Sequence, residues 1–330
     1  MSSGCSQKSA LPEALLHGVL LGQRAAVARA ITLVEREDPA SVPLLRDLRK
    51  HVGRSHRVGI TGPPGAGKST LLSALARVLA DQKQKVGVLA VDPTSPYTHG
   101  AVLGDRVRMA DLDQSDHIFI RSMASRGQGG GLSPRAADAA DVLDAAGFNW
   151  LFVESVGVGQ VELDIRHLVD STLVMLVPES GDQVQAMKAG LMEIADLYVV
   201  NKCDRDGANA MLAAVQSCVS LQHHPDSDWM PRVFGAAAST GHGIAEVLAE
   251  LERHRAHLGG KNRLQQRRRA GMTARLKALL ERQLVSRLNA SVQDGQLQEA
   301  VDRALAGTDS LEEIVQDWLS RWLDQHGAMK

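Results

Sequence analysis

Aromatic residues are scarce: Phe, Trp and Tyr together make 3% of the 330 residues, so any core must be assembled from Leu, Val, Ile, Ala and Met. Cysteine is rarer still. Cys5, Cys203 and Cys218 form an odd set with no C-x-x-C spacing, which argues against a disulfide scaffold and fits a reducing cytosol. No uncharged apolar stretch of roughly 18 residues occurs, so no membrane span is expected. Residues 1–8 are polar, with no apolar run to serve as a secretory signal. Net charge is almost absent, at −1, and supplies no reason to expect nucleic acid or an acidic membrane as partner. These absences predict a soluble, cytoplasmic protein. Its apolar fraction of 44% and charged fraction of 23% are ordinary for a globular chain, and its length suits one large domain with accessory elements.

Three segments follow from the pattern. Residues 1–55 read as a helical extension: Leu15, Leu16, Val19 and Leu20, then Ala26, Ala30, Ile31 and Val34, recur at helical intervals. Gly22 joins two helices there, and Asp38-Pro39 and Val42-Pro43 mark a turn. From 56 to 255 short β-branched runs, at 58–61, 86–91, 117–121, 150–154, 172–177, 197–200 and 232–234, alternate with Ala/Leu-rich helices. Runs this short and apolar suit strands buried on both faces, so an α/β domain with a doubly wound, mostly parallel sheet is expected. Gly259-Gly260 then breaks the chain, and residues 256–330 read as a helical arm. Its last helix places Leu311, Ile314, Val315, Trp318, Leu319, Trp322 and Leu323 on one face, opened by Ser310 and Glu313 as a capping box.

Gly62-Pro63-Pro64-Gly65-Ala66-Gly67-Lys68-Ser69 fills every fixed position of the phosphate-binding loop motif, between a strand and a helix beginning near Thr70. Glycines let successive backbone N–H groups converge on phosphate, and the helix N-terminus adds positive potential. Lys68 is placed to reach the β- and γ-phosphates, and the Ser69 hydroxyl to ligate Mg²⁺. Asn201-Lys202-Cys203-Asp204 follows another strand and selects the base. The Asp204 carboxylate accepts from guanine N1–H and the exocyclic amine, neither of which adenine offers. Lys202 covers the base with its aliphatic stem, and Asn201 ties the loop together. Cys203 fills the unconstrained position as an inert small residue.

Glu154-Ser155-Val156-Gly157 closes the 150–154 strand, where P-loop enzymes set an acid near Mg²⁺ and a glycine N–H near the γ-phosphate. A glutamate reaches far enough for direct or water-mediated contact. Asp92, at a strand end, and Asp105, in Leu103-Gly104-Asp105, are candidates for orienting water or completing the metal shell, with turn or cap chemistry as the alternative. Arg126, in the glycine-rich loop 125–131, reads as a solvated arginine, with contact to nucleotide or partner as the alternative. The twelve histidines, including His254 and His257, form no metal constellation and read as exposed helical residues. The basic stretch 261–287, with Arg267, Arg268 and Arg269, reads as a solvated helix face, not an RNA site.

These residues converge on a known group. Asp92-Pro93-Thr94-Ser95-Pro96, Leu103-Gly104-Asp105, Glu154 to Gln160 and Gly181-Asp182-Gln183-Val184-Gln185-Ala186-Met187-Lys188 together resemble the MeaB/ArgK/MMAA-type G-protein chaperones of adenosylcobalamin-dependent acyl-CoA mutases. The resemblance spans nearly the whole chain. It implies a SIMIBI-like G domain that binds GTP or GDP with Mg²⁺ and hydrolyses GTP slowly, gating cobalamin loading into a partner mutase. Methylmalonyl-CoA mutase, or a relative acting on isobutyryl- or 2-hydroxyisobutyryl-CoA, is the implied partner, with an adenosyltransferase as a further one. The arm is implied to make a homodimer. By position, Asp92 and Asp105 fall in a first switch, Glu154 in a second, and Asp182, Gln185 and Lys188 in a third. Ala237, Ala238 and Ser239 form the loop behind the base. His99, Arg106-Val107, Glu179-Ser180 and Ala237 depart from the usual pattern and leave the identity of the mutase open. A P-loop kinase, suggested by the name ArgK, is the rival reading, but it has no use for N-K-x-D. A MinD-like ATPase would carry an early second lysine where Pro63 and Pro64 stand.

Overall fold

The computed structural model describes residues 7–92, 109, 112, 115–124, 133, 135–155, 165–179, 192–221, 229–292 and 294–326. They fall into two compact units, Met1–Gly271 and Met272–Lys330. The first opens with helices α1 (Gln7–Leu20), α2 (Arg24–Glu35) and α3 (Ser41–Leu48). Gly22 makes the α1–α2 joint at φ +69°, a left-handed conformation that glycine enters at little cost. Asp38 turns the chain by accepting the Ala40 N–H at 2.8 Å. The Val42-Pro43 pair does not mark a turn; both residues lie inside α3. Pro43 is the third residue of that helix, where its missing N–H is one no helical carbonyl would have received.

All seven expected strands form: β1 (His56–Thr61), β2 (Val86–Asp92), β3 (Ile118–Ala124), β4 (Trp150–Glu154), β5 (Ser171–Leu176), β6 (Leu197–Val200) and β7 (Arg232–Gly235). Their order is β3-β2-β4-β1-β5-β6-β7, and every described pairing is parallel. Alternate side chains feed two cores, which is why the strands read as continuous apolar runs. On β4, Trp150 and Phe152 join α4 (Lys68–Asp81) and α8 (Ile244–Gly259) on one face. Leu151 and Val153 join α2, α3, α5 (Ala136–Ala145) and α7 (Ala208–Leu221) on the other. A one-turn helix, α6 (Met192–Ile194), precedes β6. From β1 the chain runs to β2 and β3 on one side, returns to insert β4 between β2 and β1, and then crosses to β5, β6 and β7 on the other side. This reversal puts the crevice for a ligand at the carboxyl ends of the central strands.

The opposite ends of the same strands close on a buried polar cluster. Arg267 and Arg268 lie in the first turns of α9 (Arg263–Ser291). Arg267 grips both oxygens of Asp196 at 2.9 and 2.6 Å. Arg268 grips both oxygens of Asp170 at 2.8 and 2.7 Å and donates to the Gly53 and Ser55 carbonyls. Burial works against both carboxylates, but the guanidinium beside each holds it below the usual range. Between the pairs run His56, Ser171 and His254, with Ser171 Oγ 2.8 Å from His56 Nε2 and 2.7 Å from His254 Nδ1. His254 Nε2 lies 3.4 Å from Asp196. Ser171 has one proton to give, so it donates to one histidine and accepts from the other; donation to His254 Nδ1 leaves His254 Nε2–H facing Asp196 and His56 Nε2–H donating to Ser171. Burial pushes His56 down to about 3 and His254 down to about 4, against the pull of Asp170 and Asp196. Two sequence expectations are corrected here. His254 is buried and not an exposed helical residue, and Arg267 and Arg268 are packing partners rather than a solvated basic face.

The second unit holds the rest of α9 with α10 (Asp294–Leu305) and α11 (Leu311–His326). The capping box forms: Glu313 accepts the Ser310 N–H at 2.8 Å and donates its own N–H to Ser310 Oγ at 3.2 Å. Leu288, Val292, Leu297, Trp318, Leu319 and Trp322 line a groove of about 700 Å³. No helix among the described residues is long and apolar enough to cross a membrane.

Candidate functional site

β1 ends at Thr61, and the chain turns at once through Gly62 (φ +141°) into the phosphate-binding loop. A side chain at Gly62 would collide with the Met175 carbonyl on β5, and one at Gly67 (φ +87°) with the Asn201 amide. At Gly65 (φ +75°) nothing stands within 4 Å of where a Cβ would be, so the loop presents open backbone with Pro64, Gly65 and Thr70 exposed. Gly67 caps α4 in the left-handed conformation without a side-chain hydrogen bond to the first helical N–H groups. Those groups and the positive end of the helix dipole form an anion site.

Lys68 and Ser69, the first two residues of α4, are buried at the mouth of this loop. Lys68 Nζ donates to the Gly62 carbonyl at 2.8 Å and the Pro63 carbonyl at 3.1 Å. Ser69 Oγ donates to Glu154 Oε1 at 2.8 Å. Glu154, the last residue of β4, is buried beside β1, in register with Ile60. A serine hydroxyl and a carboxylate side by side are hard oxygen donors of the kind Mg²⁺ takes when phosphate and water complete its shell. Among the described residues no three His, Cys, Asp or Glu gather as a metal cluster, and an ion held largely by phosphate does not require one. The residues present fit Mg²⁺.

The N-K-x-D loop expected to read the base follows β6, two strands away, yet touches the phosphate loop. Asn201 follows β6; its Nδ2 donates to the Ala66 carbonyl at 2.7 Å, and its Oδ1 accepts the Ala238 N–H at 3.1 Å. One amide thus joins the phosphate loop to the loop after β7. Cys203 N–H donates to the Ala236 carbonyl at 3.0 Å, and Ala237 bridges to His242. Lys202 holds a left-handed φ of +57°, a strained value for a residue with a Cβ and a frequent mark of a binding loop. It lies between buried Asn201 and exposed Asp204. Ala237 and Ala238 are buried and Ser239 is exposed.

Asp92 ends β2, opposite Ala124 of β3, so its backbone stands at the carboxyl edge that also carries Glu154; its side chain is outside the described set. Asp105, Arg126, Gly157, Asp182, Gln185 and Lys188 lie outside the described residues. Sequence reasoning missed one pair at this site. Ser155 Oγ donates to Thr61 Oγ1 at 2.9 Å, both residues buried. The signal available was two hydroxyl residues, each at the end of a strand and next to a motif.

A phosphate loop under a helix N-terminus, tied by one asparagine to an N-K-x-D loop, defines a P-loop guanine-nucleotide-binding protein. The family model described as methylmalonyl Co-A mutase-associated GTPase MeaB matches residues 27–293. This chain belongs to that family and is a GTPase. It is 42% identical over 291 residues to a protein of Pyrococcus abyssi named as a GTPase, covering 88% of this chain and 90% of that one. To GTPase ArgK of Escherichia coli it is 38% identical over 277 residues, 82% and 84% of the two chains. To the mouse mitochondrial methylmalonic aciduria type A homolog it is 36% identical over 250 residues, 71% of this chain and 60% of the other. Among solved structures it resembles an LAO/AO transport system kinase with a TM-score of 0.76 and 29% identity, covering 98% of this chain and 100% of that one.

Proposed function

We propose that this GTPase is a nucleotide-gated chaperone of an adenosylcobalamin-dependent acyl-CoA mutase, admitting cobalamin to the mutase and protecting or reactivating it. The observation that carries this reading is the match over residues 27–293 to a family described by its association with methylmalonyl-CoA mutase. An isobutyryl- or 2-hydroxyisobutyryl-CoA mutase would be served by the same chemistry, and an adenosyltransferase is a further partner. The working form is a homodimer made through residues 256–330.

In this reading Lys68 exchanges its bonds to the Gly62 and Pro63 carbonyls for the β- and γ-phosphates. Gly62 to Ser69 cradle the phosphates with backbone N–H groups, and Thr70 continues the helix N-terminus beneath them. Ser69 and Glu154, with Asp92 and Asp105 from the first switch, hold Mg²⁺. When bound, the ion neutralises charge developing on the phosphates. Gly157 N–H senses the γ-phosphate. Asp204 pairs with guanine, Lys202 covers the base, and Ala237, Ala238 and Ser239 back it. Asp182, Gln185 and Lys188 carry the signal to the partner. Val158, not glutamine, follows Gly157, so no side chain at that position orients the attacking water and intrinsic turnover is slow.

The kinase reading draws on the solved relative that is called a kinase. It gives no task to Asn201, whose two bonds serve a guanine loop. Nucleotide selectivity separates the two: tight GDP binding with negligible ATP binding is expected, and comparable affinities would sink the guanine-selecting role of Asn201 to Asp204. The chaperone reading is tested by adding purified mutase. Acceleration of GTP hydrolysis by several-fold or more is expected, against an unassisted rate of about 10⁻⁴ to 10⁻² s⁻¹, with the acceleration reduced in Lys188→Ala. A mutase panel that leaves the rate unchanged would refute it.

A further inference from the structure

The end of β1, the start of α4 and the end of β4 are joined by three side-chain hydrogen bonds. Lys68 Nζ reaches the Gly62 carbonyl, Ser69 Oγ reaches Glu154 Oε1, and Ser155 Oγ reaches Thr61 Oγ1. Since 61–62, 68–69 and 154–155 are sequence neighbours, the bonds close a ring through three elements. A nucleotide with its cation engages the groups of the first two bonds, drawing Lys68 to phosphate and Ser69 to the metal. The third bond joins two hydroxyls that have no part in that exchange.

Its position matters because it lies at the end of the described β1–β4 pairing. The last described β1–β4 contact is the Ser155 N–H donating to the Ile60 carbonyl at 3.1 Å. One residue further on, β1 ends at Thr61, next to Gly62 at φ +141°. The Ser155–Thr61 bond extends the pairing by one step through side chains. Glu154 hangs from this last paired step. A glutamate has one more rotatable bond than an aspartate, so its carboxylate is aimed only as well as its backbone and its partner hold it. Both hydroxyls are buried, Thr61 at 0% and Ser155 at 1% exposure, so solvent does not screen or replace the bond.

We propose that Thr61 and Ser155 are a positioning pair for the magnesium site, holding the Glu154 carboxylate against Ser69 while Lys68 and Ser69 turn from protein to ligand. Neither hydroxyl touches the nucleotide or the ion. The pair acts on metal affinity as outer-shell partners do, where loss commonly costs 10–100-fold. The inference rests on the assignment of Mg²⁺ to Ser69 and Glu154, and the test distinguishes the two.

The measurement is the release rate of a fluorescent GDP analogue from the full chain, titrated with MgCl₂ from an EDTA baseline. Wild-type release should slow as Mg²⁺ rises, and Ser69→Ala should lose most of that response. Ser155→Ala and the isosteric Thr61→Val should each raise the half-saturating Mg²⁺ concentration about tenfold, with EDTA release within about twofold of wild type. Thr61→Ser, which keeps the hydroxyl, should restore the wild-type value. The double variant should be no worse than either single one, as expected for two groups that act through one bond. Wild-type Mg²⁺ dependence in both Ser155→Ala and Thr61→Val overturns the pair's role and leaves the magnesium assignment standing. Strictly multiplicative shifts in the double variant overturn the coupling. A wild type indifferent to Mg²⁺ overturns the assignment and the proposal with it. A merely structural pair would lower the thermal midpoint of the variants while leaving half-saturation in place.

Discussion

At the scale of single residues, the proposed chemistry at both motifs turns on one charged group apiece. Lys68 is a buried ammonium already turned toward two loop carbonyls, so in the proposed role it would reach a phosphate with little reorganisation. Lys68→Ala should cut GTP turnover by about 100-fold or more, the scale of losing one preorganised donor. A radiometric phosphate-release assay that finds near-normal turnover would remove Lys68 from the site. Asp204 is the opposite case, exposed and free to meet a base. Two hydrogen bonds to a charged acceptor, at about 1.5–3 kcal/mol each, set the scale of what Asp204→Asn gives up with GTP. Xanthine presents a carbonyl where guanine has its amine, so the amide should improve XTP binding. Competition of GTP and XTP for a labelled nucleotide reads the preference directly, and an unchanged ratio would show that Asp204 does not read the base.

Among elements, the parallel sheet separates two kinds of polar site: ligand chemistry at the carboxyl ends of the strands and a structural cluster at the amino ends. That cluster makes stability depend on pH. His254 faces Asp196, Arg267, His257, Glu250 and Ser171, and His56 faces Asp170, Arg255, Arg268 and His254. Both folded-state values, about 3 and about 4, lie below the 6.5 of an unfolded histidine. The unfolded chain therefore takes up protons first, and stability falls as pH drops below about 6.5. Each histidine contributes up to about 1.4 kcal/mol per pH unit until its folded value is reached. Asp170 and Asp196 are shifted down, so their contribution persists until the pH is more acid still. Urea midpoints at pH 7 and pH 5 should differ for the wild type and differ less for His254→Gln; equal drops would clear His254. This cluster also marks where the sequence ceases to be legible. The seven strands could be read because each is a short apolar run, and the phosphate loop because its spacing is fixed by backbone geometry. Pro43 reads as a turn from its neighbours alone, yet tertiary packing of Leu44 and Leu48 carries α3 through it. Arg267 and Arg268 look like a solvated run until the fold brings Asp196 and Asp170, 71 and 98 positions away, within reach. The Thr61–Ser155 bond spans 94 positions and has no local pattern to announce it.

The whole molecule poses the question of what covers the second unit. Leu276, Leu280 and Leu284 repeat every fourth position along α9 and are exposed, as are Leu297, Val301 and Leu305 on α10 and Leu311, Val315, Leu319 and Leu323 on α11. So many exposed aliphatic side chains beside a groove holding Trp318 and Trp322 exceed what a monomer ordinarily leaves in water. A patch that pairs with its own copy about a two-fold axis is the commonest way to bury such a surface. The place to cut is set by the first unit. Removal from about residue 261 would take Arg267 and Arg268 with it and leave Asp196 and Asp170 buried without their cations, at a cost of about 3–5 kcal/mol for a broken buried pair. Truncation after Gly271 keeps both. The shortened protein should retain nucleotide binding and elute as a monomer, while the full chain elutes as a dimer. Leu280→Glu should weaken the dimer in the intact chain, because a carboxylate would be driven into an apolar interface. Light scattering coupled to size exclusion reads all three proteins. A truncated form of unchanged oligomeric state would place the dimer contact elsewhere, and a monomeric full chain would show that the apolar face is covered by something other than its own copy.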